Sequence, residues 1–83
     1  MKHAKVTVPW SEGLHLRQAV RLVKVAQPFQ ARIFLKCGER IADLRSILSV
    51  LALCATMGTP LDVEAVGEDE QEAVQTVTQL FWE

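Results

Sequence analysis

The segment Gly13-Leu14-His15-Leu16-Arg17 places a histidine and an arginine where the chain changes from a loop to a helix. A neutral imidazole is a nucleophile near pH 7, and a guanidinium carries donors that match phosphate oxygens. The first helical turn adds unpaired backbone N–H groups and the positive end of the helix dipole. The pattern therefore fits phosphoryl transfer to His15, assisted by Arg17 and the backbone N–H of Leu16. Taken alone, however, these five residues favour the simpler explanation of an exposed histidine that lies near an arginine by chance.

The composition limits the other functions that this chain could have. It has 83 residues, nine basic and ten acidic, and a net charge of −1, which argues against a nucleic-acid partner. We expect a single domain, residues 1–83. Two cysteines are too few for a disulfide scaffold, and no zinc spacing is present, so we expect neither a metal nor a cofactor. No segment has the length of a membrane span or the pattern of a secretory signal, so we expect a cytoplasmic protein.

Hydrophobic periodicity predicts seven elements in the order β-α-β-β-α-β-α. Apolar and polar residues alternate in three predicted strands, Lys2–Val8, Ala31–Cys37 and Pro60–Val66. A fourth, shorter strand is predicted after a tight turn, at Arg40–Asp43. The predicted helices have apolar residues at helical spacing: Leu16–Ala26, a short helix from Ile47 that closes at Met57-Gly58, and one from Asp69 to Phe81.

Each long strand has one apolar and one polar face, so the sheet needs cover on one side only. We therefore expect an α+β fold, a two-layer open-faced β-sandwich with three helices on one face. Ser46 is predicted to cap the second helix, and Asp69 with Glu72 to form a capping box at the third. Cys37 and Cys54 are predicted to be buried.

Three segments together resemble the histidine-containing phosphocarrier family, HPr: Gly13–Arg17, Ser46-Ile47 with its short helix, and Gly67–Ala73. The resemblance covers almost the whole chain and implies an antiparallel four-stranded sheet of order 1-4-2-3. It also implies a phosphorylated His15, assistance from Arg17, enzyme I as the donor and sugar-permease A domains as acceptors. The protein would then be a phosphocarrier of the sugar phosphotransferase system and not an enzyme, and we expect a monomer.

The resemblance further implies a docking surface at the starts of the first two helices. Its members here are apolar side chains: Leu16, Val20, Ile47, Leu48 and Leu51. Val20 and Leu51 also fit buried stripes, and we expect both in the core. Ser46 has two compatible interpretations, a helix cap and a regulatory serine phosphorylated by HPr kinase/phosphorylase.

Three residues depart from the family pattern. Gln18 stands where proline is usual, Leu16 where a small residue is usual, and Glu12 where Asn or Ser is common. A carboxylate at Glu12 would oppose a dianionic phosphate. These departures leave room for a second function, in which the protein is phosphorylated at His15 or Ser46 and controls a kinase or transcription factor without feeding transport. An independent enzyme is disfavoured, because Glu12 is the one other acid-base group expected near His15.

Overall fold

Seven elements lie within residues 1–82, which are the residues described by the computed structural model. The strands are β1 (Lys2–Thr7), β2 (Arg32–Cys37), β3 (Arg40–Asp43) and β4 (Pro60–Val66). The helices are α1 (Leu16–Ala26), α2 (Ile47–Leu51) and α3 (Glu70–Leu80). The order of the elements confirms the sequence prediction, and the bounds agree with it to within one residue except at the end of α2.

The four strands form one antiparallel sheet in the order β1-β4-β2-β3, which confirms the expected topology. β1 pairs with β4 so that Thr7 lies opposite Pro60 and Lys2 lies opposite Ala65. β2 lies on the other side of β4, with Arg32 opposite Val66. The first and last strands of the chain, β1 and β4, are therefore neighbours in the sheet. The loop that follows β1 lies at the end of the sheet where β4 begins.

One face of the sheet is buried beneath the helices, and the other face is open. The buried residues of the three long strands alternate as predicted: Val6, Ile33, Leu35, Leu61, Val63 and Ala65. Leu22, Val50 and Val77 are the largest fully buried side chains of the three helices. On the open face Lys36 Nζ lies 3.0 Å from Glu64 Oε2. The two-layer open-faced sandwich is confirmed.

The prediction that Met57-Gly58 closes α2 is wrong. The helix ends at Leu51, and Cys54 then adopts a left-handed φ of 52°. This turn directs the flanking side chains of Leu53 and Ala55 into the core and leaves Cys54 exposed, so its predicted burial is also wrong. Packing of two neighbours outweighs the preference of a cysteine to be buried. Cys37 is half-buried and packs against the core.

The predicted capping box at α3 is also wrong. Asp69 occupies the N-cap position, but its carboxylate makes no cap bond and instead accepts backbone N–H bonds from Gln30 at 2.9 Å and Ala31 at 2.8 Å. The carboxylate of Glu70 accepts the N–H of Gly67 at 3.1 Å. Asp69 therefore fastens the segment between α1 and β2 to the start of α3.

We predict that Asp69→Asn lowers the melting temperature at pH 7 by several degrees and flattens the acid dependence of stability. The N–H of Gln30, followed by that of Ala31, lowers the pKa of Asp69 against the opposing effect of burial. A lowered folded-state pKa contributes stability that is fully present above the unfolded pKa, about 3.9, and is lost as the pH falls through that value and then through the lowered folded-state pKa.

Urea unfolding across that pH range measures the effect. Glu68→Gln is the matched control, because among residues 1–82 the Glu68 side chain has no hydrogen bond or ion pair. The prediction would be contradicted if the free energy of unfolding changed with pH as much in Asp69→Asn as in the wild-type protein.

Candidate functional site

The loop after β1 is held against the segment that follows α2. The N–H of Gly13 donates to the carbonyl of Trp10 at 2.9 Å, and the N–H of Leu14 donates to the carbonyl of Ala55 at 2.9 Å. Gly13 has a φ of +75°, and a Cβ there would lie 2.5 Å from the oxygen of Ala55. Glycine is thus required both by the backbone conformation and by the close approach. The buried Leu14 side chain anchors the loop immediately before His15.

His15 is the N-cap residue of α1, with an extended backbone at φ −87° and ψ 175°. Its carbonyl accepts the N–H of Ala19 at 2.9 Å, and its N–H donates to the carbonyl of Gly13 at 2.9 Å. The imidazole makes no cap hydrogen bond and is exposed. The backbone of His15 therefore begins the helix, while the ring is accessible from solvent beside the positive end of the helix dipole.

The first turn of α1 contains no acidic residue, and it carries Leu16 and Arg17 on the surface. Within residues 1–82 the guanidinium of Arg17 has no hydrogen bond or ion pair. Its five donors are thus available to an anion that approaches the helix start. Leu16 is 53% exposed, so it belongs to the surface and not to the buried stripe of α1.

Two residues that depart from the family pattern, Glu12 and Gln18, are bonded to each other. Gln18 Nε2 donates to Glu12 Oε1 at 3.2 Å, and Ser11 Oγ donates to Glu12 Oε2 at 2.7 Å. The Ser11 hydrogen bond is the largest cause that lowers the pKa of Glu12, and an electrostatic interaction with His15 adds to it. The sequence alone does not predict this hydrogen bond. The available signal is the spacing, because an acid stands three residues before His15 and an amide stands three residues after it.

Ser46 caps α2 as predicted, because its Oγ accepts the N–H of Ser49 at 3.2 Å. The hydroxyl of Ser49 in turn accepts the N–H of Asp43 at 2.9 Å, which fixes the start of α2 to the end of β3. The Ser46 side chain is exposed. The helix start therefore combines a satisfied cap with a hydroxyl that solvent can reach.

The five side chains of the implied docking surface differ in exposure. Leu48 is 77% exposed and Leu16 is 53% exposed. Ile47 and Leu51 are half-buried and pack against the core, and Val20 is half-buried on α1. The two helices that carry these residues pack against each other. Leu16 and Leu48 are the members most accessible to a partner, and Val20 and Leu51 lie between surface and core.

Two further features of residues 1–82 bear on the site. No group of three or more histidine, cysteine, aspartate or glutamate side chains in this range is placed to hold a metal ion. None of the helices formed by these residues has the length and apolar character needed to cross a membrane.

Comparison with known proteins gives a consistent result. Residues 2–83 match the family model described as the PTS HPr component phosphorylation site. The phosphocarrier protein HPr of Haemophilus influenzae is 40% identical over 71 residues, which cover 86% of this chain and 84% of that protein.

Solved structures agree with the sequence comparison. HPr-C-His from Thermoanaerobacter tengcongensis has a TM-score of 0.93 at 27% identity, covering 99% of this chain and 92% of the other. The Bacillus subtilis catabolite repression protein Crh, described as a swapped dimer, has a TM-score of 0.80 at 32% identity, covering 99% and 94%. The match of a phosphocarrier family model to nearly the whole chain, together with relatives aligned over most of both lengths, shows that this chain belongs to the HPr family of phosphocarrier proteins.

Proposed function

We propose that this protein accepts a phosphoryl group on His15 from enzyme I and passes it to sugar-permease A domains in the cytoplasm. The observation that carries the proposal is the exposed imidazole of His15 at the N-cap of α1, which takes no part in capping. A nucleophile in that position lies beside backbone N–H groups and a helix dipole that favour an incoming anion.

The transfer step needs little from the protein beyond position and charge. A lone pair on a ring nitrogen of His15 attacks phosphorus, and the bond between phosphorus and enzyme I breaks with its electron pair left on enzyme I. Arg17 and the backbone N–H of Leu16 hold the phosphate oxygens during the step. The reverse arrangement, with a permease A domain as the nucleophile, returns the electron pair to the His15 ring.

Both partners would dock on the surface that surrounds the ring. Leu16 and Leu48 supply exposed apolar area on α1 and α2, and such area is typical of a site for transient protein partners. Because the two helices pack together, a partner that covers this surface also brings its own phosphorylated group to the start of α1.

We predict that His15→Ala abolishes the phosphate incorporated from phosphoenolpyruvate and enzyme I. His3 is the other histidine of the chain and is exposed on β1, so His3→Ala is a matched control that keeps full incorporation. Intact-protein mass spectrometry at alkaline pH would detect an acid-labile phosphate. Unchanged incorporation in His15→Ala would contradict the assignment.

We predict that Arg17→Ala slows phosphoryl exchange by about tenfold or more, because charge-assisted hydrogen bonds to the phosphate are lost. The side chain is exposed and makes no ion pair within residues 1–82, so the melting temperature should stay near the wild-type value. Rapid-quench measurement of transfer beside thermal unfolding tests both parts. Arg40→Ala, at another exposed arginine, is the control. A large loss of stability with normal transfer would reverse the interpretation.

A regulatory protein that controls a kinase or transcription factor is the second candidate function. The similarity to Crh, a catabolite repression protein of Bacillus subtilis, favours it, as does the exposed Ser46 hydroxyl at the start of α2. HPr kinase/phosphorylase could place a phosphate there without loss of the helix, since the N-terminus of a helix accepts negative charge. Failure of the phosphorylated protein to load any permease A domain would favour this function over transport.

We predict that Ser46→Asp keeps the fold but lowers the rate of His15 phosphorylation. Aspartate is also a good N-cap, whereas its charge repels acidic groups on the donor and disturbs the apolar surface beside Leu48. Ser46→Ala should lose about 1 kcal/mol of stability with the cap and still transfer normally. Transfer rates and urea unfolding of both variants provide the measurement. Wild-type transfer in a folded Ser46→Asp protein would leave Ser46 as a helix cap alone.

A further inference from the structure

Gln18 holds the carboxylate of Glu12 in a defined place. Its side chain is only 5% exposed, and within residues 1–82 its Oε1 is buried without a hydrogen-bond partner. If the amide were turned over, Oε1 would face the carboxylate of Glu12, so two acceptors would oppose each other. The amide is thus restricted to the orientation in which Nε2 donates to Glu12, although one buried oxygen stays unpaired, at some cost in stability.

The anchored carboxylate lies on the same short segment as the phosphorylated residue. Ser11 binds Glu12 from the loop, and Gln18 binds it from the first turn of α1, so the two hydrogen bonds connect chain on both sides of His15. Gln18 lies about one helical turn beyond His15, so the carboxylate that it binds is held at the start of α1, beside the residue that carries the ring.

Such a charge repels the negative charge of a phosphoryl group on the His15 ring. Arg17 and the start of α1 act in the other direction, because both favour an anion. The carboxylate cannot swing away without breaking its bonds to Ser11 and Gln18.

We propose that Glu12, held by Ser11 and Gln18, raises the free energy of phosphorylated His15 and so strengthens the tendency of the carrier to give up its phosphoryl group. Gln18 is a positioning residue, since it acts through Glu12. This inference rests on the proposed function in taking His15 as the phosphorylated residue. It goes beyond that function by assigning a role to Glu12. The Glu12 carboxylate destabilises the phosphate on His15, whereas Arg17 and the helix dipole stabilise it.

A thermodynamic cycle tests the proposal without a protein donor. Phosphoramidate transfers its phosphoryl group to the His15 ring and releases ammonia, and a His3→Ala background confines the reaction to His15. Urea unfolding at mildly alkaline pH, followed by tryptophan fluorescence, gives the effect of phosphorylation on the folding equilibrium for Glu12 and for Glu12→Gln. We expect phosphorylation to be less favourable to folding in the Glu12 protein by about two- to tenfold, and the difference to shrink in high salt.

Three further variants complete the cycle. Glu68→Gln removes an exposed charge beyond the opposite end of β4 and should behave as the Glu12 protein does. Glu12→Asp keeps the charge and should retain at least part of the effect. Gln18→Met keeps the length of the side chain but removes the donor, so the effect should fall while stability is equal or higher, because the unpaired buried oxygen is gone.

The outcomes separate the two proposals. Equal effects of phosphorylation in Glu12 and Glu12→Gln would overturn the role of Glu12 and leave His15 as the acceptor. Absence of a phosphate at His15 after treatment with phosphoramidate and, separately, with phosphoenolpyruvate and enzyme I would overturn both. Phosphorylation of His15 by phosphoramidate but not by enzyme I would overturn only the proposed donor. The role of Glu12 could still be tested with the chemically phosphorylated protein.

Discussion

The hydrogen bond from the N–H of Leu14 to the carbonyl of Ala55 ties the loop that carries His15 to the segment that follows α2. It forms because Gly13 has no Cβ, which would otherwise lie 2.5 Å from that carbonyl oxygen. The side chains of Leu14 and Ala55 are both buried, so the core holds each partner of the bond in place. The loop that carries His15 is thereby fixed beside the segment that follows α2, which is far from it in the chain.

Most of the fold could be predicted from the sequence, because strand alternation and helical spacing are local signals. The strand order could not be derived from periodicity and came from the family resemblance. Two local errors have long-range causes. Asp69 matches a helix cap in sequence, but its carboxylate is engaged by Gln30 and Ala31, 39 and 38 residues away. Cys54 turns outward because its neighbours Leu53 and Ala55 enter the core.

The sequence singles out the individual residues of the candidate site, but it does not predict how their hydrogen bonds and charges interact. His15, Arg17 and Ser46 stand out because each occupies a helix start, which a short stretch of sequence can reveal. The partnership of Glu12 with Gln18 depends on how two side chains orient across the first turn of α1, and no periodic pattern encodes that. The available signal was that both residues depart from the family pattern, and their hydrogen bond gives the two departures one physical explanation.

The hydrogen bond between Glu12 and Gln18 also has an evolutionary consequence. Replacing Gln18 by proline would leave the Glu12 carboxylate without its donor from α1, and replacing Glu12 by an apolar residue would leave both polar atoms of a buried amide unpaired. The fitness effect of a substitution at one position therefore depends on the residue at the other, which is epistasis in its simplest structural form.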